Sequence, residues 1–475
     1  MKIKFIGATK GVTGSSFLVE NENIKILIDC GMYQEKEFEE RNYLPFEFIA
    51  SEINYVLLTH AHLDHCGLIP KLVKDGFKGK VFCTYQTFEL VKVILFDAAK
   101  IQELNQRLNN TANRQLIYSS IDVENALNKF SPIKLIENIK LENNINIKFL
   151  PVGHILGAAS VLITINNSNI LFSGDIGRVN QSIIKSFNEF EFNNIEPDYI
   201  IMESLYGGKT HEDKDTNINI IKESIQKIKK SRGKILMPVF AMHRAQEILE
   251  IINFLIKSQI LQNDFEIFLD SPMAIEISKI YLNNINEFNT QSTYLGNKIN
   301  FVYDKSEALN NKQWVNIYQE DRFIPENLKT ILKQKKSKKL INATNAVIMA
   351  GSGMADGGRI VKHLYNGLER PENIIMLVGF QAEDTLGRKL AEGEKRVTIM
   401  DKDITVRAEV KYLRGFSAHA DQNDLILWLN KFNKNRLKKV FLVHAEEESL
   451  LEFSKKLLEL NIDNYTPSYC EILEV

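Results

Sequence analysis

Short apolar runs separated by turn residues fill the first 205 positions. KIKFIG, SSFLVE and KILIDCG read as strands, and NYVLLTH, KVFCT, IKFLPVGH, SVLITI, NILFSGD and DYIIMES continue the pattern. Many of these runs end in His, Asp or Glu. Residues 86–108 and 119–129 carry helical periodicity instead, so this part predicts sheets covered by a few helices. From about 208 the pattern changes. TNINIIKESIQKIKKS has apolar residues at 3–4 spacing and reads as an amphipathic helix. GKILMPVF follows as a strand and AMHRAQEILEIINFLIKS as a helix. FEIFLDSP, NAVIMAGSG and NIIMLVGF are further strands, each followed by a turn and mostly by a helix, which predicts a parallel sheet with crossover helices. After about 393 short strands return: KRVTIM, ITVRAEVKYL and KKVFLVH. The order strand-rich, βα, strand-rich predicts one domain inserted into another, with parts at 1–207, 208–393 and 394–475.

Composition narrows the function classes. The 475 residues are 44% hydrophobic and 25% charged, ample for a folded core. No apolar run reaches the ~18 residues of a membrane helix, so no membrane association is expected. Four cysteines lie far apart without a CxxC pair, which excludes a disulfide framework and fits a cytoplasmic location. With 59 basic and 60 acidic residues the net charge is −1, so the chain as a whole does not attract a polyanion. Binding of nucleic acid would need local patches or bound metal. The lysine-rich runs KKSKK at 335–339 and KNRLKK at 434–439 read first as solvated faces, with phosphate attraction as the lesser reading.

The densest chemistry is THAHLDHCG. His60, His62, Asp64 and His65 fall directly after the strand NYVLLT, in a chain with nine histidines. A strand end and tight loop let His60 and His62 converge on one ion, while Asp64 and His65 sit one turn on and can face a second. Imidazole and carboxylate suit zinc and its neighbours. His154, Asp175 and His444 each follow a strand as well. Spacing alone leaves each of these three open, as ligand or bystander.

HxHxDH, the GH of PVGH and the GD of FSGD resemble the metallo-β-lactamase fold of metal-dependent hydrolases. ESLYGG at 203–208, PVFAMHRAQEIL at 238–249, GSGMADGGR at 351–359, FQAEDTLGR at 380–388, FSAHAD at 416–421 and LVHAE at 442–446 resemble the β-CASP subgroup, which cleaves nucleic acid. The resemblance spans essentially the whole chain. It implies an α/β fold, an αββα sandwich with an inserted βα-type β-CASP domain. It also implies that His60, His62 and His154 hold one metal, that Asp64, His65 and His444 hold the other, and that Asp175 bridges them. Asp29 of LIDCG would sit behind the ligands and orient them. Glu203 and His419 match the subgroup's acidic and histidine motifs.

The implied activity is hydrolysis of RNA phosphodiester bonds by hydroxide held between two metals. Two ions, two carboxylates and a hydroxide leave the site near +1, so it attracts a phosphodiester. His419, polarised by Glu203, is the candidate general acid, and Asp64 belongs to the catalytic set. Zn²⁺ follows from the histidine-rich ligands; Mn²⁺ would bind the same groups. Ser352, Gly353 and Arg359 of the glycine-rich turn, with Arg244, are candidate contacts to single-stranded RNA. RNA rather than DNA rests on the histidine of LVHAE. The chain lacks the extra C-terminal domain of the subgroup's 5′-exonucleolytic branch and the N-terminal extension of many archaeal relatives. A compact endoribonuclease is therefore expected, acting in a cleft between the two domains, with a homodimer as the assembly that would compensate for a missing RNA-binding module. The alternatives are a 5′–3′ exoribonuclease, a hydrolase of small esters or lactams, and a catalytically silent scaffold. His243 stands where similar proteins often have glycine. It either reaches the active site or replaces that glycine on the helix.

Overall fold

The computed structural model describes all residues except 23, 109–115, 143, 193 and 303–313, and it divides into two compact units. The first comprises Met1–Thr210 with His419–Val475, the second His211–Ala418.

Two seven-stranded sheets form the first unit. One runs in the order Ile472–Glu474, Lys2–Phe5, Phe17–Asn21, Ile24–Ile28, Tyr55–Leu57, Lys80–Thr84, Phe130–Ile133. The other runs Asn464–Tyr465, Lys439–Val443, Tyr199–Glu203, Ser168–Phe172, Ala159–Ile165, Asn146–Pro151, Asn138–Lys140. Alternate residues of each sheet point into one shared core. Ile3, Phe5, Phe17, Ile26 and Ile28 meet Phe149, Val161, Ile163, Phe172 and Phe441 there. The Phe5–Phe441 and Phe17–Phe172 ring pairs, 5.5 and 6.0 Å between centroids, tie the layers together. Helices complete the sandwich. Tyr85–Leu108 packs on the strand Lys80–Thr84, and Glu447–Glu459 on Lys439–Val443. The helical periodicity at 86–108 and 119–129 is realised as Tyr85–Leu108 and Ser120–Leu127. The latter starts with a capping box in which Ser119 and Asp122 satisfy each other's backbone N–H.

Strand direction decides where the chemistry goes. Ser168–Phe172, Tyr199–Glu203 and Lys439–Val443 are mutually parallel. Asn146–Pro151 is antiparallel to Ala159–Ile165, which is antiparallel to Ser168–Phe172. All four therefore end at the same edge. In the facing sheet Ile24–Ile28, Tyr55–Leu57 and Lys80–Thr84 are parallel as well.

The second unit holds a six-stranded, all-parallel sheet in the order Leu328–Thr330, Glu266–Leu269, Ala346–Ala350, Lys234–Pro238, Ile374–Val378, Glu409–Leu413. Its three central strands, Ala346–Ala350, Lys234–Pro238 and Ile374–Val378, are buried along their whole length and apolar but for Lys234, as in a sheet covered on both faces. Lys214–Ser231 and Arg244–Lys257 are the two helices that the sequence pattern predicts. The strands between 396 and 413, which read like those of the first unit, stay with the second. Glu409–Leu413 pairs in parallel with Ile374–Val378, and Arg396–Ile399 with Lys402–Thr405 forms a separate hairpin. Among the described residues no helix is long and apolar enough to cross a membrane.

Candidate metal centre

The edge of the first unit gathers the residues that the sequence singles out. His60 lies just past Tyr55–Leu57, His62 caps the single helical turn Leu63–Cys66, and Asp64 and His65 sit on that turn. His154, Asp175 and His444 follow the strands ending at Pro151, Phe172 and Val443. The donor atoms of His60, His62, His154 and Asp175 all lie within 4.8 Å of one another, and so do those of Asp64, His65 and His444.

Asp175 faces both groups with different oxygens. Its Oδ2 is 3.2 Å from His60 Nε2 and 3.4 Å from His154 Nε2. Its Oδ1 is 3.2 Å from His65 Nε2 and 3.4 Å from His444 Nε2. His62 Nδ1 is 3.0 Å from His60 Nε2 and 3.3 Å from His154 Nε2, so three imidazole nitrogens crowd one point.

Asp29 and Thr59 set the tautomers behind this array. Asp29, at φ +57° and buried, accepts from Thr59 N at 2.8 Å and Thr59 Oγ1 at 2.9 Å, and from His65 Nδ1 at 2.7 Å. With its proton given to Asp29, the Thr59 hydroxyl accepts from His60 Nδ1 at 3.0 Å. His60 and His65 thereby carry their protons on Nδ1 and present Nε2 lone pairs to Asp175. Gly31, in the same LIDCG motif, lies so close to the Asp64 carbonyl that any Cβ would collide with it.

The residues present fit bound cations. His65 Nε2, Asp175 Oδ1 and both ring nitrogens of His444 are buried without a hydrogen-bond partner, which is costly unless a ligand completes them. Burial holds His62 and His154 well below the ordinary histidine range and His444 down to about 3, so all three stay neutral and able to coordinate. Burial also opposes charge on His65, but Asp175, Asp29 and Asp64 outweigh it and raise its pKa strongly. A site that pulls a proton so firmly onto an imidazole is one where a cation is stabilised.

Beside this cluster stands a second pair. Burial raises the Glu203 carboxyl, which accepts the Ile176 N–H and lies 3.0 Å from His419 Nδ1. His419 Nε2 faces Asp175 Oδ2 at 3.9 Å. Burial lowers the pKa of His419, but with these carboxylates unneutralised Glu203 and Asp175 lift it to about 9.

The remaining candidates lie in the second unit. Ser352 and Gly357 exchange hydrogen bonds across the glycine-rich turn. Gly353 packs against the Phe240 ring, where a Cβ has no room. Arg359 donates to Asp270 at 2.6 Å and to the carbonyls of Ile331 and Leu332. Arg244 is buried against Glu247. His243 takes φ +66° as the N-cap of Arg244–Lys257, and its Nδ1 is 3.3 Å from the Tyr281 hydroxyl. It occupies a glycine-like backbone position with its ring buried. Two participants escape a reading by motif. Thr59 holds the His60 tautomer, and its signal was its place inside THAHLDH. Asp270 is a buried acceptor for Arg359, Ser337 and His363, and its only signal was an Asp at a strand end.

Family models match along the chain in order: a metallo-β-lactamase superfamily domain at residues 18–203, a β-CASP domain at 245–390 and a Zn-dependent metallo-hydrolase RNA specificity domain at 403–467. A ribonuclease of Thermus thermophilus is 33% identical over 464 residues, covering 96% of both chains. An RNase J-like protein of Methanocaldococcus jannaschii is 30% identical over 478 residues, covering 100% of this chain and 99% of its own. The cleavage and polyadenylation specificity factor 73 of Drosophila melanogaster is 28% identical, covering 95% of this chain and 60% of its own. A crystal structure of an Enterococcus faecalis protein of unknown function aligns with a TM-score of 0.52 at 11% identity, covering 99% of both chains, which shows the fold alone. The chain belongs to the β-CASP ribonuclease family of metal-dependent hydrolases, within the metallo-β-lactamase superfamily.

Proposed function

We propose that this protein is an endoribonuclease that hydrolyses phosphodiester bonds of single-stranded RNA at a two-cation centre. The observation that carries the reading is the division of Asp175, with Oδ2 turned to His60 and His154 and Oδ1 to His65 and His444. His60, His62 and His154 would hold one cation, Asp64, His65 and His444 the other, and Asp175 would touch both. Zinc suits the histidine-rich set, and manganese would take the same ligands. When bound, such ions supply a water made acidic enough to act as nucleophile and positive charge against the phosphoryl oxygens.

The chain's own groups do the rest. Asp29 and Thr59 keep His65 and His60 oriented with Nε2 toward Asp175. Glu203 holds the His419 proton-bearing ring by Nδ1, which leaves Nε2 directed at the ligand cluster. His419 Nε2 can then donate its proton to the departing 3′ oxygen, and Glu203 stabilises the charged imidazole beforehand. In the second unit, Ser352 and Gly353 would receive RNA phosphates at the glycine-rich turn. Arg359 would support that turn through its bonds to Asp270 and the Ile331 and Leu332 carbonyls, and Arg244 would join them as a substrate contact.

Cleavage of one RNA labelled at the 5′ end and, separately, at the 3′ end tests this, with and without chelator and beside the same sequence as single-stranded DNA. Internal fragments from RNA alone, abolished by chelator, are expected. Mononucleotides released from the 5′ end would replace the endonuclease by a 5′–3′ exonuclease. Intact RNA with both metals bound would overturn the reading in favour of small ester or lactam substrates.

A further inference from the structure

The chain is nearly neutral, yet its charge is unevenly spread. Between Glu326 and Asp356 there is no acidic residue, while Lys329, Lys333, Lys335, Lys336, Lys338 and Lys339 all fall there. Lys329 is paired with Glu266. The other five are exposed, and among the described residues none of their amines has an ion-pair or hydrogen-bond partner. The second lysine-rich run behaves differently. Arg436 and Lys438 face Asp198 at 2.9 and 3.8 Å, Lys439 faces Asp463 at 3.3 Å, and Lys434 donates to Asn430. Those side chains have partners on the fold, whereas among the described residues the five amines at 333–339 have none.

The holding is specific. Gln334–Lys339 is a short helix, and Ser337 is its buried residue. The Ser337 hydroxyl donates to Asp270 Oδ2 at 2.5 Å. Asp270 also accepts from His363 Nε2 at 2.7 Å and from Arg359 at 2.6 Å. Arg359 in turn grips the Ile331 and Leu332 carbonyls, immediately before the lysines. One buried carboxylate thus ties the lysine segment to the far end of the glycine-rich turn 351–359. Five like charges kept close together repel one another, so holding them with buried hydrogen bonds makes sense where a polyanion neutralises them.

We infer that Lys333, Lys335, Lys336, Lys338 and Lys339 form a second contact for the RNA backbone, alongside the glycine-rich turn and independent of the metal centre. This rests on the ribonuclease reading. It gives the second unit a sequence-neutral grip on phosphates, since ammonium groups on flexible stems read charge and not bases.

The test is the variant Lys335→Gln/Lys336→Gln/Lys338→Gln/Lys339→Gln in the full-length, metal-loaded chain. KM for a single-stranded RNA is measured from initial rates across a series of salt concentrations. Each lost phosphate contact flattens the dependence of log KM on log salt by about 0.7, so loss of the four contacts flattens it by about 3 and raises KM at low salt on the order of tenfold or more. The pair Lys335→Gln/Lys336→Gln should give part of the effect, and it serves if the fourfold variant does not fold. A KM within twofold of the parent together with an unchanged slope would overturn the inference while leaving the ribonuclease reading intact, and would point to a solvated face or an acidic protein partner. A parent chain that neither retards nor cleaves RNA would remove the ribonuclease reading and the inference together.

Discussion

Asp175 is the residue on which both halves of the proposed centre depend. Its two oxygens face different histidine pairs, so Asp175→Ala should lose metal from both groups together with activity; metal content by mass spectrometry beside an RNA cleavage assay checks this. Retention of one full metal equivalent would show that the halves are independent. His419 makes the opposite case. It hydrogen-bonds Glu203 and stands 3.9 Å from Asp175. His419→Ala should therefore keep its metal and lower kcat by about 10²–10⁴, the scale of a lost general acid. Unchanged turnover would remove that role. At this scale the candidate site was only partly legible. His60, His62, Asp64 and His65 are neighbours in sequence, and a strand end with one helical turn suffices to group them. For His154, Asp175 and His444 spacing left the question open, because nothing local says whether three separate strands end side by side.

At the scale of elements, the second unit rests on a buried carboxylate. Burial alone would raise the Asp270 pKa, but the bonds from His363, Ser337 and Arg359 outweigh it and hold it below the usual carboxylate range. The stabilisation is then present above the unfolded carboxylate pKa of about 3.9 and is lost as pH falls through the lower folded value. Asp270→Asn should lower the melting temperature at pH 7, by an amount corresponding to about 3 kcal/mol if the largely buried Arg359 guanidinium loses its counter-charge. It should also flatten the loss of stability below pH 4. Thermal melts at pH 3, 4 and 7 decide it; parallel curves for parent and variant would sink the argument. The helices and strands themselves were readable from periodicity, as at Tyr85–Leu108 and Arg244–Lys257. Glu409–Leu413 was not placed by its pattern, since an alternating strand does not reveal its neighbour. Its parallel pairing with Ile374–Val378 does.

For the whole molecule, the unpartnered ligand atoms imply coupling between metal and stability. An ion that binds only the folded chain stabilises it by RT ln(1 + [L]/Kd), about 2.7 kcal/mol at a hundredfold excess over Kd. Chelation should lower the melting temperature, and excess Zn²⁺ should restore it. An unchanged melt after verified metal removal would mean that the histidine cluster is satisfied without ions.

Much was set by the sequence alone: the strand-rich, βα, strand-rich order, the local HxHxDH grouping, the family resemblance and a net charge that forbids attraction by the whole chain. These depend on neighbours within a few residues or on sums over all of them. Tertiary structure alone decided that the strands before His154, Asp175 and His444 end at one edge, that Asp29 and Thr59 fix two tautomers, and that one lysine run is paired with Asp198 and Asp463 while the other has no partner among the described residues. Each of those depends on which distant segments pair, and pairing is determined by the packing of the core as a whole.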